Sequence, residues 1–263
     1  MTDDDKMLSK VPAVTIGFWL IKILATTLGE TGGDAVSMSW LGETTATAGS
    51  AGLNGYLVGT AIFGALLIGM VWLQIRVRAF NPWLYWGTII ASTTAGTTLA
   101  DFATRSIGLG YPGGSLLLFA CVMASLLIWY RSLGSIAVES VATPKAELFY
   151  WITITFSQTL GTALGDWTAD TGDLGYSGAA LVFSTGLAAL AVAYYTTRIS
   201  RVGLFWAAFI LTRPLGAAVG DFLDKPIEKG GLDFSRPVAT AVLAIAIAAL
   251  ILILPQRASQ TAH

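Results

Sequence analysis

Histidine and cysteine are almost absent from this sequence. The one histidine is the last residue, His263, and the one cysteine, Cys121, lies in an apolar run. A single thiol excludes an internal disulfide, and without sets of imidazoles or thiolates the chain lacks ligands for haem, copper or zinc. A nucleotide-binding glycine loop and a Ser-His hydrolytic pair are also missing. We therefore expect neither an enzyme nor a resident cofactor.

Charged residues are scarce too. They make up 12% of the chain, whereas 54% of it is hydrophobic; a typical soluble domain carries about 25% charged residues. A soluble protein of 263 residues could not bury so much apolar surface, because its exterior would still need polar cover. The composition therefore predicts a lipid bilayer as the surrounding medium. The net charge of −1 and the lack of a basic patch give no indication of nucleic-acid binding.

Apolar runs between charges predict eight membrane-spanning helices, because about 20 apolar residues cross a bilayer. The predicted spans are 12–34, 53–75, 83–103, 114–130, 148–168, 177–197, 203–222 and 237–254. Nine lysine and arginine residues lie at the N-terminus or after even-numbered spans, and four lie after odd-numbered spans. Since positive charge collects on the cytoplasmic side, both termini are predicted to be cytoplasmic. The sequence thus predicts an all-α, polytopic membrane protein, with residues 1–263 in one transmembrane domain.

One motif occurs four times with identical spacing: an aromatic residue, tryptophan, a glycine ten residues later, and a small residue followed by aspartate. The copies are Phe18-Trp19…Gly29…Gly33-Asp34, Tyr85-Trp86…Gly96…Ala100-Asp101, Tyr150-Trp151…Gly161…Gly165-Asp166 and Phe205-Trp206…Gly216…Gly220-Asp221. They define four two-helix repeats, approximately 12–80, 81–145, 146–201 and 202–256. Because each repeat has two spans, the copies enter the membrane in the same direction, as a pseudo-fourfold bundle or a pair of pseudo-dimers. Small residues four apart let helices approach closely, and the same faces allow for a homo-oligomer.

The repeated aspartates are the candidate functional residues. The number of residues between the cytoplasmic-side charges and each aspartate places the aspartates near the outer edge of the hydrocarbon layer. Further acids lie on the same helix faces as the aspartates. A negative charge at a helix C-terminus opposes the macrodipole, so a capping role alone explains them poorly. The alternative is that each aspartate caps a following segment or is solvated at the lipid boundary. We favour a shared ring around the bundle axis, with predicted metal ligands Asp34, Asp101, Asp166 and Asp221, and further ion-binding acids Glu30, Asp170 and Asp224.

Two basic residues lie much deeper in the predicted spans. Lys22 is half-way through the first span and Arg213 is well inside the seventh, and ionisable groups at such depth mark a pathway or a paired interior. Alignment of the repeats predicts a polar layer near the midplane formed by Thr26, Thr93, Gln158 and Arg213, with Lys22 one turn below it. These five residues are the candidates for gating or coupling. The alternative is that Lys22 and Arg213 form salt bridges with Glu30 or an aspartate and only fix the helix register.

The quadruple motif resembles a bacterial family of integral membrane proteins that consist of four tandem copies of a two-helix repeat of unknown function. The resemblance covers residues 12–254. It implies an inner-membrane protein of eight helices, and it implies no substrate and no catalytic residue.

Three functions are compatible with these residues. The leading hypothesis is a secondary transporter or exporter of a hard cation, a divalent metal ion, held by the acid ring, with Lys22 and Arg213 competing for the same carboxylates and protons as possible coupling ions. The second is a proton-coupled carrier of a small anionic or zwitterionic solute bound by Lys22 and Arg213. The third is a membrane scaffold that transports nothing, in which the motif only packs helices.

Overall fold

The computed structural model describes residues 9–43, 54–171 and 174–259. Within these ranges the protein is all-helical, with eight long helices and no strand. The helices are α1 (Ile16–Asp34), α2 (Gly55–Arg76), α3 (Pro82–Asp101), α4 (Gly110–Leu133), α5 (Pro144–Thr171), α6 (Gly175–Thr196), α7 (Arg201–Asp224) and α8 (Arg236–Ile253). Each predicted span corresponds to one of them. Residues 1–8, predicted as the start of a cytoplasmic tail, and His263 lie outside the described residues.

Polar residues set the starts of several helices. The side chains of Thr15, Asn54 and Asn81 each accept a hydrogen bond from a backbone N–H three residues further on, which satisfies one of the amides that a helix start leaves open. Pro82 follows Asn81 in the first turn of α3, where a missing N–H costs nothing. At the other end of a helix, Gly134 takes a left-handed conformation with φ of 76° and closes α4.

The odd-numbered helices form an inner ring. Helix α1 packs on α3, α3 on α5, α5 on α7, and α7 on α1. Each even-numbered helix packs outside this ring, mainly on the inner helix of the next repeat: α2 on α3, α4 on α5, α6 on α7, and α8 on α1. The arrangement is therefore cyclic, and every repeat interlocks with the one after it.

The motif glycines form the seams of the inner ring. A Cβ at Gly29, Gly161 or Gly216 would overlap a polar side chain of the next repeat: Thr93, Arg213 and Thr26, respectively. At Gly96 it would lie 2.9 Å from the backbone of Gln158. Only glycine leaves room for such contacts. The four glycines thus lie against the four members of the predicted midplane layer, one at each seam.

The outer helices carry most of the apolar exterior. Among the described residues, five helices are long and apolar enough to cross a bilayer: α2, α4, α6, α7 and α8. In each of the four outer helices at most 17% of the most apolar 18-residue stretch is buried inside the protein, whereas in α7 the share is 56%. Helices α1, α3 and α5 are more polar because their threonines and acids face one another inside the ring. The structure thus supports a membrane protein, and eight crossings remain a prediction.

Aromatic side chains, the described segment before α1 and the described segment after α8 lie at the end of the bundle opposite the aspartates. Four aromatic residues of the motif lie at this level, Phe18, Tyr85, Tyr150 and Phe205, and the two tyrosine hydroxyls are 2.6 Å apart. Around them, the segment before α1 pairs with the C-terminal segment through a bridge of Pro12 with Ala258. Lys10, counted above as a cytoplasmic charge, is buried there in a 2.7 Å ion pair with Glu147.

Candidate functional site

The inner helices place equivalent residues of the four repeats at the same level, and every fourth residue continues the same face. Four such levels run from the aspartates inward, and each of their residues is at most 2% exposed. The acid layer is Asp34, Asp101, Asp166 and Asp221; the Glu30 layer is Glu30, Thr97, Thr162 and Ala217. The Gln158 layer is Thr26, Thr93, Gln158 and Arg213; the Lys22 layer is Lys22, Ile89, Ile154 and Phe209. This burial excludes the alternative in which the aspartates are solvated at the lipid boundary.

Carboxylate oxygens from different repeats converge in the acid layer. Oxygens of Asp34, Asp221 and Asp224 lie within 4.8 Å of one another, and so do oxygens of Glu30, Asp166 and Asp221. Asp221 belongs to both groups and joins them. Asp101 is in neither group, although it was predicted as a metal ligand with the other three. These five grouped carboxylates offer hard oxygen donors, the kind that divalent cations of the Mg²⁺ and Ca²⁺ type prefer.

Two basic side chains bridge the aspartates in pairs. Lys225 Nζ lies 2.5 Å from Asp34 and 2.9 Å from Asp221, which belong to the first and fourth repeats. Arg105 lies 3.2 Å from Asp101 and 2.9 Å from Asp166, which belong to the second and third. The backbone ring is thus pseudo-fourfold, whereas its charges follow a pseudo-twofold pattern.

Sequence reasoning missed these two bases, together with Arg236, because it counted them as loop charges. Arg236 lies 3.4 Å from Asp224. A signal was present, since a basic residue follows the motif aspartate by four positions in the second and fourth repeats, at Arg105 and Lys225. Residues four apart share a helix face, so this spacing indicates an ion pair. The first and third repeats have Met38 and Asp170 at that position.

Arg213 closes the axis one turn below the acid layer. Its Nη2 lies 2.8 Å from Glu30 Oε2 and donates to the hydroxyls of Thr97 and Thr162, at 2.6 and 2.5 Å. One guanidinium from α7 thus contacts all three other inner helices. The pairing of Arg213 with Glu30, which the alternative interpretation predicted, is present.

Lys22 has no such partner. Its Nζ is fully buried, has no hydrogen bond or ion pair among the described residues, and lies 4.1 Å above the centre of the Phe209 ring. The predicted salt bridge of Lys22 with Glu30 or an aspartate is therefore wrong, because Arg213 already takes Glu30 and lies between Lys22 and the acids. The side chains of Thr93 and Gln158 also lack partners, whereas Thr26 donates to the Ile23 and Thr212 carbonyls.

Asp170, predicted as a further ion-binding acid, does not lie in the buried cluster with Glu30 and Asp224. Its side chain is exposed and accepts a hydrogen bond of 3.0 Å from the Tyr111 hydroxyl. Helix α5 continues one turn past Asp166, so Asp170 shares the face of Asp166 but lies beyond the end of the ring.

Acids outnumber bases in the buried cluster. Six carboxylates, those of Glu30, Asp34, Asp101, Asp166, Asp221 and Asp224, face four basic side chains, those of Arg105, Arg213, Lys225 and Arg236. Burial lowers the pKa of Lys225, just beyond α7, but the three carboxylates around it outweigh that effect and hold the pKa well above its ordinary value. Even so, Asp34 Oδ1 and Asp101 Oδ2 have no hydrogen-bond partner among the described residues. A buried excess of negative charge is stable only when a cation or protons neutralise it.

Fold and site together define an all-helical membrane protein in which four repeats surround a buried ionic axis. The chain belongs to the family described as Repeat of Unknown Function (DUF347), whose model matches four times, at residues 17–80, 84–135, 149–200 and 204–256. This confirms the resemblance to proteins with four tandem repeats. Comparison with curated proteins and with solved structures gave no match.

Proposed function

We propose that this protein is a secondary transporter or exporter of a divalent metal ion, which binds in the acid layer. The observation that carries the proposal is the number of charged groups: when all are ionised, six buried carboxylates and four bases leave two negative charges, which one divalent ion would neutralise. The oxygens of Asp34, Asp221 and Asp224, already within 4.8 Å of one another, supply a set of donors from one site.

Because Lys225 and the metal ion compete for the same carboxylates, the proposed site has an ion-free and an ion-bound arrangement. Lys225 lies between Asp34 and Asp221, so an entering cation must displace its ammonium group. In the ion-free state Lys225 takes the place of the ion, and in the ion-bound state its side chain is released. An ion that binds one arrangement better than the other shifts the equilibrium between them, and this is the element that a transporter requires.

The proposal includes a membrane arrangement. All eight helices cross the bilayer of a bacterial inner membrane, with both termini in the cytoplasm and the acid layer near the outer face. The apolar exteriors of α2, α4, α6 and α8 support this arrangement, since they surround the polar inner helices. The shortest helix, α8, has 18 residues and at about 1.5 Å per residue spans roughly 27 Å, close to a hydrocarbon core of about 30 Å.

Flux measurements in proteoliposomes test the proposal with Mn²⁺, Mg²⁺ and Ca²⁺. We expect one of these ions to be transported, and Asp34→Asn and Asp221→Asn each to reduce its flux by about tenfold or more, since each removes a charged ligand. The matched control is Asp233→Asn, which changes an exposed carboxylate at the same end of the bundle. Absence of flux for all three ions, or full flux in folded Asp34→Asn and Asp221→Asn variants, would overturn the proposal.

A further inference from the structure

Several unpartnered polar atoms lie on the inner side of Arg213, away from the acid layer. Lys22 Nζ, Thr93 Oγ1, Ser157 Oγ and both amide atoms of Gln158 lack hydrogen-bond partners among the described residues. All four side chains are fully buried. Buried polar atoms are hydrogen-bonded in roughly nine cases of ten. Lys22, Thr93 and Gln158 belong to two adjacent layers, and Ser157 precedes Gln158 on α5, so their unpartnered atoms indicate a ligand that these side chains bind.

The ionisable side chains in this region are basic. The Gln158 and Lys22 layers contain no carboxylate. The nearest acid along the axis, Glu30, is bound by Arg213 Nη2 at 2.8 Å, so Arg213 carries a matched charge and separates the acids from Lys22. Lys22 is left with only the face of the Phe209 ring, 4.1 Å away. A cation in a buried site requires a counter-charge or heavy solvation, and the described residues provide no counter-charge.

We propose that Lys22 and its unpartnered neighbours form a binding site for one small monovalent anion, of the size of chloride, nitrate or formate. Lys22 supplies the charge, while the Gln158 amide and the hydroxyls of Thr93 and Ser157 supply neutral donors. One unmatched positive charge calls for one negative charge. Thr93 and Gln158 pack tightly at the seams against Gly29 and Gly96, which limits the ligand to an ion of few atoms.

This site differs from the proposed cation site in position, in ligand charge and in residues, and it stands whether or not the protein transports a metal ion. The two sites lie on opposite sides of Arg213. Variants of one therefore leave the other intact, and the two proposals fail separately.

Thermal unfolding of the purified protein in detergent tests the anion site. Sodium gluconate, whose anion is too large for the site, is replaced stepwise by sodium chloride, nitrate or formate at constant ionic strength. We expect the melting temperature to rise and to saturate with at least one small anion, since a ligand stabilises the state that it binds. Which anion acts at the lowest concentration distinguishes an inorganic ion from a carboxylate.

Lys22→Met should have a higher melting temperature than the wild type in gluconate, because an unmatched buried charge is removed, and should lose the response to small anions. Lys145→Met, which removes an exposed lysine, is the matched control and should respond like the wild type. Gln158→Leu provides a second variant and should shift the response to higher anion concentration. Asp34→Asn should keep the full response.

A wild-type melting temperature that is the same in all four salts would overturn the proposal, since Lys22 would then be accompanied by water alone. So would an unchanged anion response in folded Lys22→Met.

Discussion

The two sides of Arg213 differ in whether their buried basic side chains have carboxylate partners on the bundle axis. On the acid side each of the four bases described above has a carboxylate partner, as in the 2.5 Å contact of Lys225 with Asp34. On the other side the Lys22 side chain has an aromatic ring and no acid beside it among the described residues, although Lys10, at the far aromatic end, is paired with Glu147. The layers on both sides are built from equivalent positions of the four inner helices, and successive layers are four residues apart along each helix. The comparison shows that the repeat provides the scaffold, and that substitutions at single repeat positions decide which charge each layer contains.

A second contrast lies within the acid layer. The backbone and the motif aspartates are fourfold, but bases follow the aspartates only in the second and fourth repeats. Arg105 therefore joins the second and third repeats, and Lys225 joins the fourth and first. Movement of one pair against the other would break fewer ion pairs than movement of a single repeat, so the pair is the natural rigid unit.

Removal of Arg213 should produce the largest effect, because Arg213 separates the two sides. Arg213→Met leaves Glu30 buried without its base and should lower the free energy of unfolding by about 3–5 kcal/mol. The double variant Arg213→Met with Glu30→Gln should recover a large part of that loss. Removal of the other deep base, in Lys22→Met, should stabilise the protein instead. Thermal unfolding of the four proteins in detergent provides the measurement, and equal destabilisation by both single variants would contradict the contrast.

The seam beside Arg213 should be the next most sensitive position. A Cβ at Gly161 would overlap the Cβ and Cγ of Arg213, so Gly161→Ala should cost about 1–3 kcal/mol through overpacking. Gly64→Ala is the control: it lies within α2 with nothing within 4 Å of the added atom. There alanine should be neutral or stabilise the helix by up to about 1 kcal/mol. Comparable melting temperatures for the two variants would show that the glycine seams tolerate a side chain.

Lys225 should compete with the metal ion on the acid side. Lys225→Met removes the ammonium group between Asp34 and Asp221 and should tighten Mn²⁺ binding by about tenfold, equivalent to about 1.4 kcal/mol. Without the ion, the same variant should be less stable than the wild type, because three carboxylates lose a partner. Calorimetric titration with Mn²⁺ measures the affinity, with Lys145→Met as the control. Weaker binding in Lys225→Met would mean that Lys225 supports the site and does not compete for it.

The features that follow from the repeat could be predicted from the sequence. The ion pairs that depend on the length and direction of individual side chains could not. Eight helices, the convergence of Asp34, Asp166 and Asp221, and the family could all be predicted, because identical spacing requires equivalent placement. The inward turn of Arg236 could not, since a residue that begins a helix after a loop has no fixed level in the bundle. The pairing of Glu30 with Arg213 instead of Lys22 could not be predicted either. It depends on side-chain length and on the packing of Arg213 against Gly161, and the positions of the spans give no information on these.

The smallest expected effect concerns the aromatic end, where a buried neutral pair replaces the ion pairs of the acid end. The hydroxyls of Tyr85 and Tyr150 are 2.6 Å apart and both side chains are fully buried. Tyr150→Phe leaves the Tyr85 hydroxyl without its partner and should cost about 1 kcal/mol, whereas the double change to phenylalanine should cost less, because no polar group is then left unpaired. A double-mutant cycle on melting temperature measures this coupling. Additive losses would mean that each hydroxyl is satisfied separately, by water, and that the aromatic end is open to solvent. Positive coupling would instead show that water does not reach the two hydroxyls. The aromatic side chains would then have to move before an ion could leave the axis at this end.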